Sequence, residues 1–306
     1  MAGQARTGSN AVNPRTAAAP AELAPAARAP CLLLNPRSFG AARSGLAERA
    51  AQLAYSHGVE VIRAADSAEI GAATDRLLAR RQQLVILLAG DGTVRAVVDR
   101  LAQVAAGVPR PQLLVLGGGR TNLIPGDLGG RGSVLAKLDA ALRRWREGTG
   151  LAKEERYVLE IAQPAAPVRR GFFLAAGLVD YAIRACHRDR TVGSGKLRQG
   201  AAGTAWSLLK RAPPAMLGRL DPLLDELHVE VAGHGALADA AHLLIATTLQ
   251  RRHGALDPYA ARGRGGVRFT AVAARGPAFW ARLPLVATGR FTRTMDARHG
   301  YLSGRC

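Results

Sequence analysis

Three loops carry most of the side chains able to handle a phosphate. The most telling lies in LVILLAGDGTVRAVV, residues 84–98, where an apolar run ends in Gly90-Asp91-Gly92-Thr93 and an amphipathic stretch follows. Glycine lets a backbone approach a phosphate closely and take conformations that a side chain blocks. A helix starting there offers unpaired N–H groups and a favourable dipole to an anion. Thr93 adds a hydroxyl. Asp91 beside a bound phosphate has two jobs open to it, orienting Mg²⁺ or accepting the proton of an attacking hydroxyl. A plainer alternative stands next to both, a tight turn in which Asp91 caps the helix.

The second loop belongs to LLLNPRSFG, residues 32–40. Pro36 fixes a turn, Asn35 can hydrogen-bond a base or ribose, and Arg37 and Ser38 can reach phosphates. An ordinary strand-to-helix turn with Ser38 or Ser44 as a cap fits the same residues. The third loop belongs to LLVLGGGRTNLIPGDLGG, residues 113–130. Its Gly117-Gly118-Gly119 run makes a nest of backbone amides, and Arg120, Thr121 and Asn122 add polar side chains. A flexible turn is the alternative there.

These loops need elements that hold them at one edge. Short apolar runs at 31–34, 59–62, 84–89 and 113–116 read as strands, and amphipathic stretches at 41–56, 67–81 and 94–106 read as helices. Strands alternating with helices predict a parallel sheet of βαβ units, whose ligand sits at the C-terminal ends of the strands. All three loops fall at those ends. A further helix is expected at 133–147. Beyond residue 150 the texture changes to runs at 156–161, 171–176, 227–231, 242–248, 266–273 and 282–287 without regular helices between them. The expected fold is therefore α/β, a doubly wound nucleotide-binding domain at 31–150 followed by a β-rich sandwich domain at 151–306. A helical insertion at about 179–217 interrupts the second domain, and an Ala/Pro-rich, disordered lead-in occupies 1–30.

Composition narrows the classes. The chain has 306 residues, 48 % of them hydrophobic, and a formal charge of +19 carried mainly by scattered arginine. Such a charge attracts nucleotides or anionic membranes, though compositional bias accounts for it equally well. Cys31, Cys186 and Cys306 are far apart and odd in number, so no disulfide framework or zinc spacing arises, and a reducing, cytoplasmic setting is expected. No run approaches the ~20 apolar residues of a membrane span. Gly193-Ser194-Gly195-Lys196 lacks the upstream Gly and the following Ser or Thr of a P-loop. Aromatic residues are too few among the basic ones for a nucleic-acid platform.

Taken in order, Asn35-Pro36, Gly90-Asp91-Gly92-Thr93 and Gly119-Arg120-Thr121-Asn122 resemble the diacylglycerol kinase catalytic-domain family of lipid kinases. That family has an Asn-Pro turn, a Gly-Gly-Asp-Gly-Thr loop and a Gly-Thr-x-Asn loop. The resemblance spans roughly 31–130, continuing into Asp127-Leu128-Gly129, and is looser beyond. It implies ATP and Mg²⁺ as cofactors and transfer of the γ-phosphate to a lipid hydroxyl in a cleft between the two domains. It casts Asp91 as the catalytic residue, and Asn35, Arg37, Ser38, Gly90, Gly92, Thr93, Gly118, Gly119, Arg120, Thr121 and Asn122 as the nucleotide site. Asp180 falls where many relatives have an Asp near a structural Mg²⁺, although a solvated Asp at a helix start fits it too. The implied partners are a lipid substrate, an anionic membrane touched peripherally and a second copy of the chain, without nucleic acid. Five departures stand out. Ala89 replaces a glycine, Arg120 a threonine and Leu123 an acid, and the second half lacks the family's Asp-Gly pair and its late Asp-Gly-Glu, as though shortened. A non-catalytic relative that binds nucleotide or lipid, and an NAD kinase, are the alternatives.

Overall fold

The computed structural model describes residues 29–43, 45–105, 107–129, 132–192, 226–251 and 257–306. Residues 1–28 of the expected lead-in and 193–217 of the expected insertion lie outside the described residues, and Gly193-Ser194-Gly195-Lys196 lies there with them.

Strands β1 (Cys31–Leu34), β2 (Glu60–Arg63), β3 (Leu84–Ala89) and β4 (Gln112–Gly117) form a parallel sheet in the order β2-β1-β3-β4. Every residue of β1 and β3 is buried, as the inner strands of a parallel sheet covered on both faces must be. Alternation along the strands divides their side chains. Leu33, Val85, Leu87 and Val115 share one core with Ile70 and Leu77, and with Val94, Val97 and Leu101. Leu32, Leu34, Ile86 and Leu88 share the other with Ala47, Ala50 and Ala54, and with Leu138 and Leu142. Each fully buried leucine of this kind contributes about 1.5–3 kcal/mol.

The covering helices start where local chemistry allows. The stretch expected as one helix at 41–56 is two, α1 (Phe39–Arg43) and α2 (Leu46–Ser56). Gly45 separates them in a left-handed conformation at φ +60°. Helix α3 (Ser67–Ala79) opens on Asp66, whose carboxylate accepts the N–H groups of Ala68 and Glu69, while Glu69 accepts from Ala65. Helices α4 (Asp91–Ala102), α5 (Leu123–Asp127) and α6 (Val134–Arg146) complete this half.

The second half is built on an antiparallel sheet in the order β12-β11-β10-β7. It is preceded by the hairpin β5 (Leu159–Gln163) and β6 (Ala166–Gly171). Strand β7 (Phe173–Gly177) leads into α7 (Leu178–Val192), and β8 (Glu230–Val231) pairs with β9 (Gly235–Ala236). Strands β10 (Leu243–Thr247), β11 (Arg268–Val272) and β12 (Tyr301–Arg305) finish the sheet. One face packs Leu243, Ile245, Val272 and Tyr301 on Phe279 and Val286 of α8 (Gly276–Ala287). The other face packs Phe269, Ala271 and Leu302 with Leu159, Val229 and Val231.

Two sequence expectations change here. The run 282–287, expected as a strand, is the second half of α8. Its continuous apolarity hides a helical spacing, with Phe279, Leu283 and Val286 turned to one core and Pro277 suited to the first turn. The C-terminal stretch 301–305, not among the expected strands, is the edge strand β12, with Thr270 opposite Ser303.

Candidate active site

In the order β2-β1-β3-β4 the chain leaves β1 toward one edge of the sheet and β3 toward the other. The C-terminal ends of β1 and β3 therefore flank the crevice where the topology reverses, the usual ligand position in open α/β sheets. The three loops meet there. The Asn35 N–H donates to the Leu88 carbonyl at 3.1 Å, and Asn35 Oδ1 accepts the Arg37 N–H at 2.9 Å. Asn35 Nδ2 donates to Thr93 Oγ1 at 2.9 Å in a buried bond. Ser38 Oγ accepts the Gly90 N–H at 3.1 Å. The Gly118 carbonyl accepts from Gly40 and Ala41 at 2.8 and 3.1 Å, and the Gly118 N–H donates to Ala89 O at 2.9 Å.

The glycines act through closeness rather than unusual dihedrals. None of Gly90, Gly92, Gly117, Gly118 and Gly119 has a positive φ. A Cβ on Gly119 would stand 2.6 Å from the Gly90 Cα, and one on Gly118 3.0 Å from the Ala89 nitrogen. Any side chain there would force two backbones apart. Asn122, at φ +51°, closes the third loop: its Oδ1 accepts the Gly119 N–H at 2.8 Å and its Nδ2 donates to Gly119 O at 3.2 Å.

Asp91 caps a helix, but not its own. Oδ2 accepts the Leu123 N–H at 3.1 Å and Oδ1 the Ile124 N–H at 3.0 Å, so the carboxylate closes the N-terminus of α5. An ionised carboxylate has about four acceptor positions, so these two bonds leave capacity for a cation or a hydroxyl. Helix α4 begins at Gly90 with no side-chain cap, and among the described residues the N–H groups of Asp91 and Gly92 meet no acceptor. A Cβ on Gly92 would meet open space. Two amides and the positive end of a 12-residue helix thus face an open position at the switch point.

The structure sorts the expected residues. Asn35, Ser38, Gly90, Asp91, Thr93, Gly118, Gly119 and Asn122 form one bonded framework. Asn35 is buried with both amide atoms engaged, so it ties β1 to α4 instead of presenting its amide to a base or ribose. Arg37, Gly92 and Thr121 are exposed around the framework. The Arg120 guanidinium lies 3.9 Å over the Phe39 ring, which holds it above the loop at 35–40. Asp180 stands apart from any acidic cluster: it sits in the first turn of α7, paired with Arg184 at 2.6 Å, and no metal-holding group of three His, Cys, Asp or Glu occurs among the described residues. Burial pushes the Cys31 thiol up to about 12, which leaves it no nucleophile.

Asp127 is a residue that the sequence placed in the resemblance without giving it a role. Fully buried at the end of α5, it accepts Arg156 Nε and the N–H groups of Gln250 and Arg251, each at 2.6 Å. Burial opposes its charge, but the guanidinium and the two amides outweigh it and hold the carboxyl below the ordinary aspartate range. The signal was available: a lone acid inside the apolar run Leu123–Leu128 must find partners. Helix α5 is thereby held at both ends by carboxylates, one from the Gly90–Thr93 loop and one binding the second half of the chain.

The resemblance places an acid of the second half in the stretch 262–266, where this chain has arginines and glycines. Gly265 has φ +148°, and a Cβ there would fall on the Cys306 carbonyl. A Cβ on Gly266 would fall on the Tyr157 ring. The nearby Asp257 is buried in an ion pair with Arg268.

Comparison with known proteins agrees with this architecture. Residues 30–153 match the family model of the diacylglycerol kinase catalytic domain. A crystal structure of a diacylglycerol kinase from Bacillus anthracis str. Sterne is 12 % identical, covers 89 % of this chain and 81 % of that chain, and superposes with a TM-score of 0.53. A second structure from that strain, provisionally named a diacylglycerol kinase, is 12 % identical, covers 88 % of this chain and 80 % of that chain, and gives 0.56. No curated protein matches the sequence.

Proposed function

We propose, from the match of residues 30–153 to the family model of the diacylglycerol kinase catalytic domain, that the protein is a kinase-type enzyme and transfers the γ-phosphate of ATP to the hydroxyl of a lipid. The observation that carries this reading is the uncapped N-terminus of α4 at the switch point, ringed by three interlocked loops. Phosphates bind the Asp91 and Gly92 amides and the helix dipole. Arg37, Arg120 and Thr121, at the rim, neutralise and orient the remaining oxygens. The framework bonds of Asn35, Ser38 and Asn122 fix the loops beforehand, so little order is lost when nucleotide binds. Phosphoryl transfer asks mainly for positioning and charge neutralisation, which fits such a site.

Asp91 is the residue placed to receive the acceptor's proton. Its two amide bonds fix its direction and leave acceptor positions open. Mg²⁺, which neutralises phosphate charge when bound, is commonly held by one or two carboxylates plus the substrate's own phosphates, and Asp91 meets that need. Asp180, paired with Arg184, does not.

Gly265 favours a second reading, a relative that binds nucleotide without transferring phosphate, since its backbone leaves no room for an acid there. One experiment separates the two: transfer from labelled ATP with Mg²⁺ to lipids in mixed micelles, with NAD as a competing acceptor. Transfer to a lipid that falls about 10²–10⁴-fold in Asp91→Asn, with ATP binding retained, supports the kinase. ATP binding without transfer to any acceptor supports the second reading, and phosphorylated NAD would replace both.

A further inference from the structure

The parallel sheet is incompletely covered at one place. Leu113 of the edge strand β4, Val98 and Leu101 of α4, Leu128, Phe172 and Leu249 line a cavity of about 300 Å³ where the two halves of the chain meet. Val98, Leu113, Leu128 and Phe172 stay only partly buried, although β1 and β3 of the same sheet are buried throughout. One part of the wall is Val94 and Ile124, in the first turns of α4 and α5, and the Ile124 amide is bonded to Asp91. None of the loop residues at 35–40, 89–93 or 117–122 lines it. Its charged members are Arg110, Asp127, Glu154 and Arg156. Both carboxylates are paired: Arg156 bonds Asp127 at 2.6 Å and Glu154 at 2.5 Å, and Arg251, outside the wall, bonds Glu154 at 3.1 Å. Arg110 is exposed, donates to the Val104 carbonyl at 3.3 Å and has no acidic partner among the described residues.

We infer that this cavity binds a single aliphatic chain whose polar end lies at Arg110. A concave, mainly apolar site with few polar groups at a junction of domains is the common form of a small-molecule pocket. Its size is on the order of ten water-sized volumes, room for one chain of medium length and not for two. Each interior charge has an ionic partner, so an apolar guest meets no unpaired ion, while Arg110 supplies a cation at the wall for an acidic or phosphorylated head. The lipid-kinase reading supplies one source for the chain, the tail of the acceptor. A separate amphiphile is the other source, and binding itself does not depend on that reading.

The test is equilibrium binding of radiolabelled carboxylates, hexanoate to hexadecanoate, below their micelle concentrations, to the full chain without nucleotide. Affinity should rise about fourfold per methylene and level off near about ten carbons. Val98→Trp and Leu113→Trp, each filling the cavity, should weaken binding at least about tenfold while retaining wild-type circular dichroism and ATP affinity. Arg110→Gln should weaken decanoate and leave decanol unchanged. In the wild type a photoreactive decanoate should label peptides containing Val98, Leu113 or Phe172, a readout free of any folding defect in the variants. Added to a transfer assay, decanoate should raise the acceptor KM if the chain is the acceptor's tail, and change kcat alone if it is a separate amphiphile. Affinity without a chain-length limit, labelling elsewhere, or equal binding by both tryptophan variants would overturn the inference. Chain-length-limited binding by a protein that transfers no phosphate would sink the kinase reading and leave the cavity's role standing.

Discussion

Glycines two residues apart in the same loop carry opposite burdens. Gly90 faces the backbone of Gly119, and a methyl on Gly119 stands 2.6 Å from the Gly90 Cα. Neither partner is a movable side-chain tip, so Gly119→Ala must separate the third loop from the Gly90–Thr93 loop. We expect a loss of about 1–3 kcal/mol, seen as a lower Tm, together with weaker ATP binding. Gly92 faces open space in the first turn of α4. Gly92→Ala should therefore keep stability within about 0.5 kcal/mol and weaken ATP binding alone, because its methyl would occupy the position proposed for phosphate. Equal thermal losses in the two variants would contradict the packing account. The sequence made these residues visible by type and order, yet it could not divide framework from ligand contacts. Asn35 and Ser38 carry the donors and acceptors a nucleotide would want, and only their partners, Thr93 and Gly90, reveal that they are engaged within the protein.

At the scale of elements, α5 is a five-residue helix that cannot be stable by itself. Asp91 holds its start, and Asp127 ties its end to Arg156 and to the amides of Gln250 and Arg251. Asp127→Asn removes the buried charge that accepts from Arg156 and two amides, while Arg156 keeps Glu154, so the loss should be about 1–3 kcal/mol. The pH dependence follows from the depressed pKa. Its contribution is complete above the ordinary aspartate value of 3.8 and is lost as pH falls through the lower folded value. Denaturant titrations should show wild type losing more stability than Asp127→Asn on acidification below pH ~4, with the two curves converging. Parallel curves across that range would remove Asp127 from this role. Elements of this kind were hard to read beforehand. The inner parallel strands β1 and β3 were legible because burial on both faces forces continuous apolar runs. The same rule misled at 282–287, where an apolar helix packed on a sheet writes an equally continuous run. Strand β12 was missed because Ser303 and Gly304 interrupt its apolarity, while its hydroxyl is bound inside by Thr270 and the Ala260 amide.

For the whole molecule the governing quantity is charge, and it bears on how a substrate that lives in a membrane would be reached. No helix among the described residues is long and apolar enough to cross a bilayer. The formal charge of +19 is large, but scattered arginine alone binds anionic surfaces without orientation. One segment combines charge with exposed apolar side chains. Tyr157, Val158, Val168 and Phe173 are among the large hydrophobics left in solvent, Tyr157 with 71 % exposure. Arg169, exposed on β6, shares that segment, which includes the β5–β6 hairpin. Aromatic side chains with basic neighbours suit the level of lipid headgroups, and a basic residue near an anionic surface contributes about 1 kcal/mol. We therefore expect the protein to sediment with vesicles containing phosphatidylglycerol and not with neutral phosphatidylcholine vesicles. The bound fraction should fall as salt rises from 0.05 to 0.5 M by design, since the screening length drops from roughly 10 Å at 0.1 M to about 3 Å at 1 M. Tyr157→Ser with Phe173→Ser should lower the fraction that survives high salt, and Arg169→Glu the fraction bound at low salt. If all three substitutions leave both fractions unchanged while wild type still binds, the contact is spread over the arginine-rich surface and the hairpin gives it no orientation. If wild type ignores anionic lipid altogether, a lipid acceptor must reach the loops as a monomer or in micelles, and transfer should then depend on its bulk concentration and not on its fraction in a surface.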